Sequence, residues 1–413
     1  MSRLSGACII GQSGGPSAVI NASVYGAIRT ALDSDCISRV FGAANGIVGV
    51  LEDRLYVMEE EDADELELLK YTPSSALGSC RYKIADPDDD DTDCRRILET
   101  FRRYDVRYFF YNGGNDSMDT CSKISKYLRR AGYECMVMGI PKTIDNDLFG
   151  TDHCPGFGSA AKYIATSFME VYLDAHVYDS GMVTIIECMG RNAGWLTAAC
   201  SLASGAGYGP DFIYLPERAF SKEKFLSDVG RAYRDKGKCM IAVSEGLRYE
   251  DGSFVANAET SKTDGFGHAQ LGGLAAYLAA VAKKATGAKV RGIELSLLQR
   301  CAAHVASLTD IEESYLAGKT AVTSAIDGIS DKMIAFECSR ENGYTCATKL
   351  VDLADVANRE KKIPTEWINA DGNGLLKPYT DYARPLIYGE TKMLKENGLP
   401  RFAKMKKILA EVR

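Results

Sequence analysis

The most informative part of the sequence is Met136-Val137-Met138-Gly139-Ile140-Pro141-Lys142-Thr143-Ile144-Asp145-Asn146-Asp147. An apolar strand ends here at Pro141, which cannot donate a further hydrogen bond to a sheet. One lysine, one threonine and two aspartates follow. In open α/β sheets, such groups at the carboxyl end of a strand line the ligand crevice. The stretch therefore predicts a site for an anionic group with a base beside it, although a loop with capping aspartates could carry the same residues.

Length and composition predict a soluble globular protein with two domains. The 413 residues exceed the ~250–300 residues at which single cores stop growing. Hydrophobic residues make up 46% and charged residues 25% of the chain, as in ordinary globular proteins. The net charge of -7 argues against non-specific binding of nucleic acid.

Nothing in the sequence predicts secretion or a membrane span. The N-terminus lacks a basic segment followed by an apolar one, and the longest uncharged stretch, 192–210, is interrupted by glycines and a proline. The 13 cysteines include no C-x-x-C pair, so they are interpreted as reduced thiols. We therefore expect a cytoplasmic protein.

Two strand–glycine–helix units precede the central stretch. A strand at 7–10 leads through a glycine turn into a helix that ends near residue 32, and a strand at 107–111 leads through Gly113 and Gly114 into a second helix. This layout aims backbone N–H groups and a helix N-terminus at an anion. With the central strand, the units form a βαβαβ pattern, which predicts a doubly wound parallel sheet.

A second α/β unit follows. Strands are predicted at 181–188, 212–215 and 238–243, and polar residues again stand at several strand ends. The tail beyond about residue 360 is amphipathic and rich in lysine, and its pattern favours helices at 393–396 and 404–412.

Together, these segments resemble the phosphofructokinase family over about residues 5–350. Each motif lies at a predicted strand end or helix start, in the family's order. The motifs are Ser13-Gly14-Gly15, Gly113-Gly114-Asn115-Asp116-Ser117, Pro141-Lys142-Thr143-Ile144-Asp145-Asn146-Asp147, Met189-Gly190-Arg191, Glu245-Gly246 and Gln299-Arg300.

The resemblance implies two doubly wound Rossmann-like α/β domains, with the active site in the cleft between them, and a C-terminal helical tail. Residues 1–150, together with about 300–360, would form the domain that binds the phosphoryl donor. Residues 151–299 would form the domain for the sugar phosphate, and residues 361–413 would be a C-terminal extension.

The implied reaction is phosphoryl transfer to the 1-hydroxyl of fructose 6-phosphate, with Asp145 as the base. The resemblance assigns residues to three overlapping roles. They are catalysis by Asp145, Lys142, Thr143 and Asp116; donor binding by Gly14, Arg81, Gly114, Asn115, Asp116 and Lys142; and sugar-phosphate binding by Thr143, Ile144, Asp145, Met189, Gly190, Arg191, Glu245, Arg291 and Arg300.

Two positions predict pyrophosphate as the donor. Where the ATP-using branch has glycines, this chain has Asp116 and Lys142, the pair found in the pyrophosphate-using branch. A carboxylate ~4 Å from a nucleotide α-phosphate would cost ~4 kcal/mol at an effective dielectric constant of ~20. Lys142 would add a positive charge beside the transferred group. An ATP-dependent phosphofructokinase and a non-catalytic regulatory homologue that binds sugar phosphates remain the alternatives.

Three positions depart from the family pattern. Mg²⁺ is the expected cofactor, with Asn115 and Asp116 as candidate ligands, although the family more often has aspartate at position 115. Leu297 and Met182 replace groups expected to contact the 6-phosphate. We hypothesise that a partner subunit, or Tyr382 and Arg384, supplies these contacts. The family also implies a homodimer or homotetramer, with no nucleic-acid or membrane partner.

Overall fold

The structure is a computed structural model that describes residues 3–256, 271–357 and 359–411. Its strands are β1 (Gly6–Gln12), β2 (Ile37–Ala43), β3 (Leu55–Val57), β4 (Val106–Gly113), β5 (Met136–Pro141), β6 (Met182–Cys188), β7 (Phe212–Tyr214), β8 (Lys238–Ser244), β9 (Lys289–Glu294), β10 (Lys332–Ser339), β11 (Thr345–Asp352), β12 (Lys395–Glu396) and β13 (Leu399–Pro400).

The α-helices alternate with these strands along most of the chain. They are α1 (Ile20–Leu32), α2 (Ile47–Leu51), α3 (Ala63–Leu68), α4 (Thr92–Arg103), α5 (Asn115–Arg130), α6 (Phe157–His176), α7 (Trp195–Ala198), α8 (Lys222–Lys236), α9 (Leu274–Thr286), α10 (Leu298–Cys301), α11 (Leu308–Ile326), α12 (Leu353–Val356) and α13 (Lys377–Ala383).

The first sheet has seven strands in the order β11-β10-β5-β4-β1-β2-β3. Its inner strands run parallel, and β3 and β11 are antiparallel edge strands. β1 is buried along its whole length, and β4 at all but one residue. Such continuous burial is expected for parallel strands that helices cover on both faces.

The second sheet has four parallel strands in the order β7-β8-β6-β9. β10 and β11, which come later in the chain, return to the first sheet. The prediction of an α/β protein with two Rossmann-like units is therefore confirmed. The exact limits of the predicted domains stay a prediction.

The C-terminal tail differs from the prediction. It contains α13, but 395–396 pairs with 399–400 in a short hairpin, and 404–411 is extended. The reason is the acidic segment beside it. Backbone N–H groups at 404, 406 and 407 donate to the carboxylates of Glu65 and Glu61, and not to helical carbonyls. Leu55 O then accepts from Ala410 N at 2.7 Å, so the tail lies along β3.

No helix among the residues that the structure describes has the length and apolar character needed to cross a membrane.

Helices α1 and α11 approach closely because glycines lie where they cross. A Cβ atom on Gly318 would overlap the carbonyl oxygen of Ser23, and one on Gly26 would overlap that of Tyr315. Both glycines are buried. Their absence of a side chain therefore lets the two helices pack backbone to backbone over the first sheet.

We expect Gly318→Ala to lower the free energy of unfolding by ~1–3 kcal/mol, because the added methyl group overpacks this crossing. Urea unfolding would measure the change. Gly230→Ala is the matched control: in α8, a methyl there meets only the flexible end of Arg234 at 3.3 Å, so a gain of ~0.5–1 kcal/mol is expected. Equal effects of the two substitutions would contradict the role of the crossing.

Candidate active site

A cavity of about 210 Å³ lies where the carboxyl ends of strands from both sheets meet. Residues that follow β1, β4, β5, β6 and β8 form most of its wall. This is the position at which open α/β sheets bind ligands. The wall consists of Gly14, Gly15, Arg81, Gly114, Asp116, Ser117, Lys142, Thr143, Asp145, Asp147, Met189, Arg191, Asn192, Ala193, Glu245 and Glu360.

One side of the cavity is cationic. Lys142 follows β5, is buried, and donates from Nζ to Gly15 O at 2.5 Å. A Cβ atom on Gly15 would lie 2.9 Å from Nη1 of Arg300 and 3.7 Å from Nη2 of Arg81. Burial lowers the pKa of Lys142 to about 8, with Arg81 and Arg300 acting in the same direction and Asp145 against it. Three cations therefore surround the Gly14–Gly15 turn.

Asp145 faces the cavity from the loop after β5. Its Oδ1 atom is buried and accepts no hydrogen bond from any described residue. Its backbone N–H donates to Thr143 Oγ1 at 3.1 Å, which holds the turn. Burial, followed by the charge of Glu245, raises the pKa of Asp145 to about 6, while Lys142 and Arg191 oppose the rise. The carboxylate is thus available to accept a proton near neutral pH.

Other carboxylates lie around Asp145. Burial, with Asp145 and Glu360 next, raises the pKa of Asp147 to about 7. Burial likewise raises the pKa of Glu245 to about 7, against a hydrogen bond that it accepts from Gly190 N at 3.2 Å. Crowded carboxylates in a cleft are typical of sites that bind hydroxyl groups or cations and transfer protons.

Comparison with known proteins identifies the family. The model of the family described as phosphofructokinase matches residues 7–308, which is more than half of the chain. The chain belongs to the phosphofructokinase family.

The relatives within this family match nearly the whole chain. The pyrophosphate–fructose 6-phosphate 1-phosphotransferase of Halomonas elongata is 44% identical over 400 residues, covering 96% of this chain and 95% of that protein. The enzyme of the same name from Methylococcus capsulatus is 44% identical over 395 residues, covering 95% and 94%. A pyrophosphate-dependent phosphofructokinase from Marinobacter aquaeolei has a similar structure, with a TM-score of 0.89, 41% identity and 98% of both chains covered.

Most site residues predicted from the phosphofructokinase motifs lie on the cavity wall. Gly190 contacts the wall through Glu245, and Ile144 instead packs into the apolar core beside Phe157. The motifs missed Asn192 and Glu360, which are joined by a hydrogen bond of 2.8 Å. Glu360 comes from a distant part of the chain and lies in no motif, so only its position beside Leu148 brings it to the site.

Asn115 does not face the cavity. In the amide orientation that satisfies the neighbouring groups, its side-chain nitrogen donates to the carbonyl oxygens of Val356 and Arg359, both at 3.3 Å. An amide can make these bonds and a carboxylate cannot, because an ionised carboxylate only accepts. The cavity wall includes Asp116 and not Asn115, and the assignment of Asn115 to donor and metal binding stays a prediction.

Four residues predicted to contact the sugar phosphate differ in their positions. Arg300 points at Gly15, on the cationic side of the cavity. Arg291 lies on the edge strand β9, exposed, with Nη1 3.9 Å from Asp174 Oδ2. Tyr382 is buried between Asn146 and Asp152, and Arg384 lies against Gly205. Neither Tyr382 nor Arg384 lies on the cavity wall, and the hypothesis that they contact the 6-phosphate stays a prediction.

The other two positions that depart from the family pattern also lie off the cavity wall. Leu297 is 55% exposed beside α10, and Met182 is buried at the start of β6. Neither contributes a polar group to the cavity.

We expect Asn115→Asp to lower the free energy of unfolding by ~1–3 kcal/mol, because it turns an acceptor toward two carbonyl oxygens. Urea unfolding at neutral pH would measure this loss, and the Mg²⁺ dependence of turnover would be unchanged. Asn397→Asp, in the exposed hairpin turn, is the matched control and should be neutral. Unchanged stability together with tighter Mg²⁺ dependence would instead identify position 115 as a metal ligand.

Proposed function

We propose that this protein transfers a phosphoryl group reversibly from pyrophosphate to the 1-hydroxyl of fructose 6-phosphate, giving fructose 1,6-bisphosphate and phosphate. The observation that carries the proposal is that buried Lys142 and Asp116 line the same cavity. Relatives named pyrophosphate–fructose 6-phosphate 1-phosphotransferase, which match the chain over almost its whole length, support it.

The cationic side of the cavity suits a short and highly charged donor. Phosphoryl transfer depends mainly on positioning and on electrostatic stabilisation of the charge that spreads over the transferred group. Lys142, Arg81 and Arg300 supply positive charge around the Gly14–Gly15 turn. Gly114 and the N-terminal end of α5 add backbone N–H groups beside them.

Asp116 disfavours a nucleotide at the same place. A phosphate ~4 Å from its carboxylate would be repelled by ~4 kcal/mol at an effective dielectric constant of ~20. Lys83 Nζ, 3.9 Å from Asp116 Oδ1, offsets part of this repulsion. Pyrophosphate avoids this repulsion, since it has no third phosphate to lie beside Asp116.

Asp145 is the proposed catalytic base. Its unsatisfied Oδ1 would accept the proton of the 1-hydroxyl while that oxygen bonds to the phosphorus atom and the bond to the phosphate leaving group breaks. Thr143 holds the turn of the same loop, and after burial the negative charge of Glu245 is what raises the pKa of Asp145.

The second sheet supplies the proposed sugar subsite. Met189, Gly190 and Arg191 follow β6, and Glu245 follows β8. Glu245 can accept hydrogen bonds from sugar hydroxyls, and Arg191 can donate to phosphate oxygens. Arg300 faces both subsites, because it lies beside Arg81 and also acts on Asp145.

Phosphotransferases of this family generally use a divalent metal, and we propose Mg²⁺. Asp116 fits such an ion because Mg²⁺ prefers carboxylate and water oxygens. When bound, the ion would neutralise charge on the donor phosphates. Asn115 is left out of this assignment because its amide binds the carbonyl oxygens of Val356 and Arg359.

The proposal includes a cytoplasmic homodimer or homotetramer. Arg291 and Leu297 support an assembly, because these positions, predicted to bind the sugar phosphate, are exposed among the described residues and do not line the active-site cavity. Analytical ultracentrifugation would test this part, and a sedimenting monomer at micromolar concentration would contradict it.

We expect turnover of fructose 6-phosphate with pyrophosphate and none with ATP, measured in parallel coupled assays with Mg²⁺. The variant Asp116→Gly/Lys142→Gly should lose pyrophosphate turnover by ~10² or more, since it removes a charge that stabilises the transition state, and should gain measurable use of ATP. Lys126→Ala is the control. It removes an exposed lysine of α5 that forms an ion pair with Asp88, and it should keep the donor preference.

Turnover with ATP alone would retain the family and overturn the donor assignment. Absence of turnover with both donors, together with binding of fructose 6-phosphate, would favour the regulatory homologue. Asp145→Ala separates these cases further. In the enzyme it should remove turnover and leave binding of the sugar phosphate, whereas a regulatory protein would be unaffected.

We expect a bell-shaped pH profile of kcat. The rate should fall below about pH 6, because the carboxylate of Asp145 becomes protonated and cannot act as a base. It should also fall above about pH 8, because Lys142 loses its charge. The carboxylates of Asp145 and Asp147 interact. The acid limb of the profile therefore reports the titration of the pair and not of one residue.

Lys142→Arg provides the discriminating variant, since a guanidinium keeps its charge throughout this range. Its residual rate should retain the acid limb and lose the alkaline fall. An alkaline fall that persists in Lys142→Arg would rule out Lys142 as its source.

A further inference from the structure

A second cluster of chemistry-bearing side chains lies outside the active-site cavity. Asp152, His153 and Cys338 place one carboxylate oxygen, one ring nitrogen and one sulfur within 4.8 Å of one another. His153 is buried and stacks on Phe336, with ring centroids 4.8 Å apart. The proposed reaction uses none of the three residues.

Two of the three distances between these atoms are close to those of a tetrahedral cation site, and the third, from sulfur to oxygen, is within 4.8 Å. With metal–sulfur bonds of about 2.3 Å and metal–nitrogen and metal–oxygen bonds of about 2.0–2.2 Å, sulfur and nitrogen are about 3.6 Å apart and nitrogen and oxygen about 3.4 Å apart. The observed separation of Cys338 Sγ and His153 Nδ1 is 3.7 Å, and that of His153 Nδ1 and Asp152 Oδ1 is 3.1 Å.

A fourth ligand of suitable chemistry stands opposite Cys338. In the antiparallel pairing of β10 with β11, the register places Cys346 directly across from it. Residues directly opposite in such a pair have neighbouring Cβ atoms. Two sulfurs, one imidazole and one carboxylate match the ligand types found in zinc sites.

Hydrogen bonds from neighbouring residues orient the side chains of His153 and Asp152. His153 Nε2 lies 2.7 Å from Glu313 Oε2, an arrangement that leaves Nδ1 facing Cys338 and Asp152. A carboxylate bound to the far nitrogen of a histidine is the usual support of a histidine ligand. Tyr344 OH donates to the other oxygen of Glu313 at 2.6 Å, and Arg340 donates twice to Asp152.

We propose that Asp152, His153, Cys338 and Cys346 bind a divalent transition cation of the zinc type, separately from the hard cation of the active site. Thiolate and imidazole ligands select such ions over Mg²⁺. Coordination requires His153 to bind through Nδ1 with its proton kept on Nε2 for Glu313. Binding therefore releases the Nδ1 proton and the proton of any cysteine that is still a thiol.

The site is connected to the catalytic loop. The backbone oxygen of Asp152 accepts from Lys361 Nζ at 2.6 Å and from Tyr382 OH at 2.8 Å. Tyr382 OH also accepts from Asn146 Nδ2 at 2.8 Å. An ion that immobilises Asp152 and His153 would thus stabilise the segment that holds Asn146 between Asp145 and Asp147.

Co²⁺ is the probe for the test, because thiolate ligands give its complexes intense charge-transfer absorption. The full-length protein, reduced, stripped of metal and kept anaerobic, is titrated with Co²⁺ in excess Mg²⁺, which occupies sites with oxygen ligands. We expect one equivalent of Co²⁺ to bind with thiolate charge-transfer bands and to raise the Tm. Cys338→Ser should weaken binding at least tenfold, and Cys346→Ser should reduce the intensity of the bands.

Cys301→Ser, at an exposed cysteine elsewhere in the chain, is the matched control and should bind as the unmodified protein does. Circular dichroism of the serine variants verifies that they are folded. Absence of charge-transfer bands in the unmodified protein, or equal Co²⁺ affinity in Cys338→Ser, would overturn the proposal and leave a buried ion-pair network. A Cys338–Cys346 disulfide in the freshly reduced, metal-free protein would also overturn it.

Discussion

The electrostatic attraction between buried Lys142 and the carboxylate of Asp145 is the interaction on which the site depends. Removing either charge from water is unfavourable unless opposite charges and hydrogen bonds compensate. Lys142 receives a hydrogen bond partner in Gly15 O and the opposing charge of Asp145. Because both groups lie in one short loop after β5, a single turn sets the positions of the proposed base and of the proposed donor-binding cation.

The glycine turn after β1 is also explained by the charged groups around it. Gly14 has a φ of +76°, a conformation that other residues adopt only with strain. A Cβ atom on Gly14 would meet Lys142 Nζ at 3.4 Å, and one on Gly15 would meet Arg300 Nη1 at 2.9 Å. The turn is therefore free of side chains because cations approach it from two sides, and this close approach leaves room for a phosphate.

The catalytic loop is held from behind by the C-terminal part of the chain. Asn146, which has a φ of +56°, is fully buried between Asp145 and Asp147. Its side chain accepts from Cys154 N at 2.9 Å and donates to Tyr382 OH at 2.8 Å. Lys361 N donates to Asp147 O at 2.7 Å. Residues predicted to be an appendage thus fix the turn that points the two aspartates into the cavity.

The sequence by itself predicted the α/β class, most strands of the two sheets other than β10 and β11, and most residues of the cavity wall. Apolar runs that end in glycine, proline or charged residues report strand ends, and strand ends are where such sheets bind ligands. It also determined the donor-related pair, Asp116 and Lys142, because both lie within recognisable motifs. Local patterns of this kind depend on neighbouring residues, so one chain is enough to interpret them.

Only the tertiary structure decided which way individual side chains face. Asn115 and Asp116 are adjacent, yet one amide binds carbonyl oxygens of residues 356 and 359 while its neighbour lines the cavity. Glu360 reaches the site, and Tyr382 turns away from it, through contacts more than 200 residues distant in sequence. The tail at 404–411 is extended because carboxylates of Glu61 and Glu65 bind its N–H groups. Such long-range partners compete with local preference, and the sequence pattern contains only the latter.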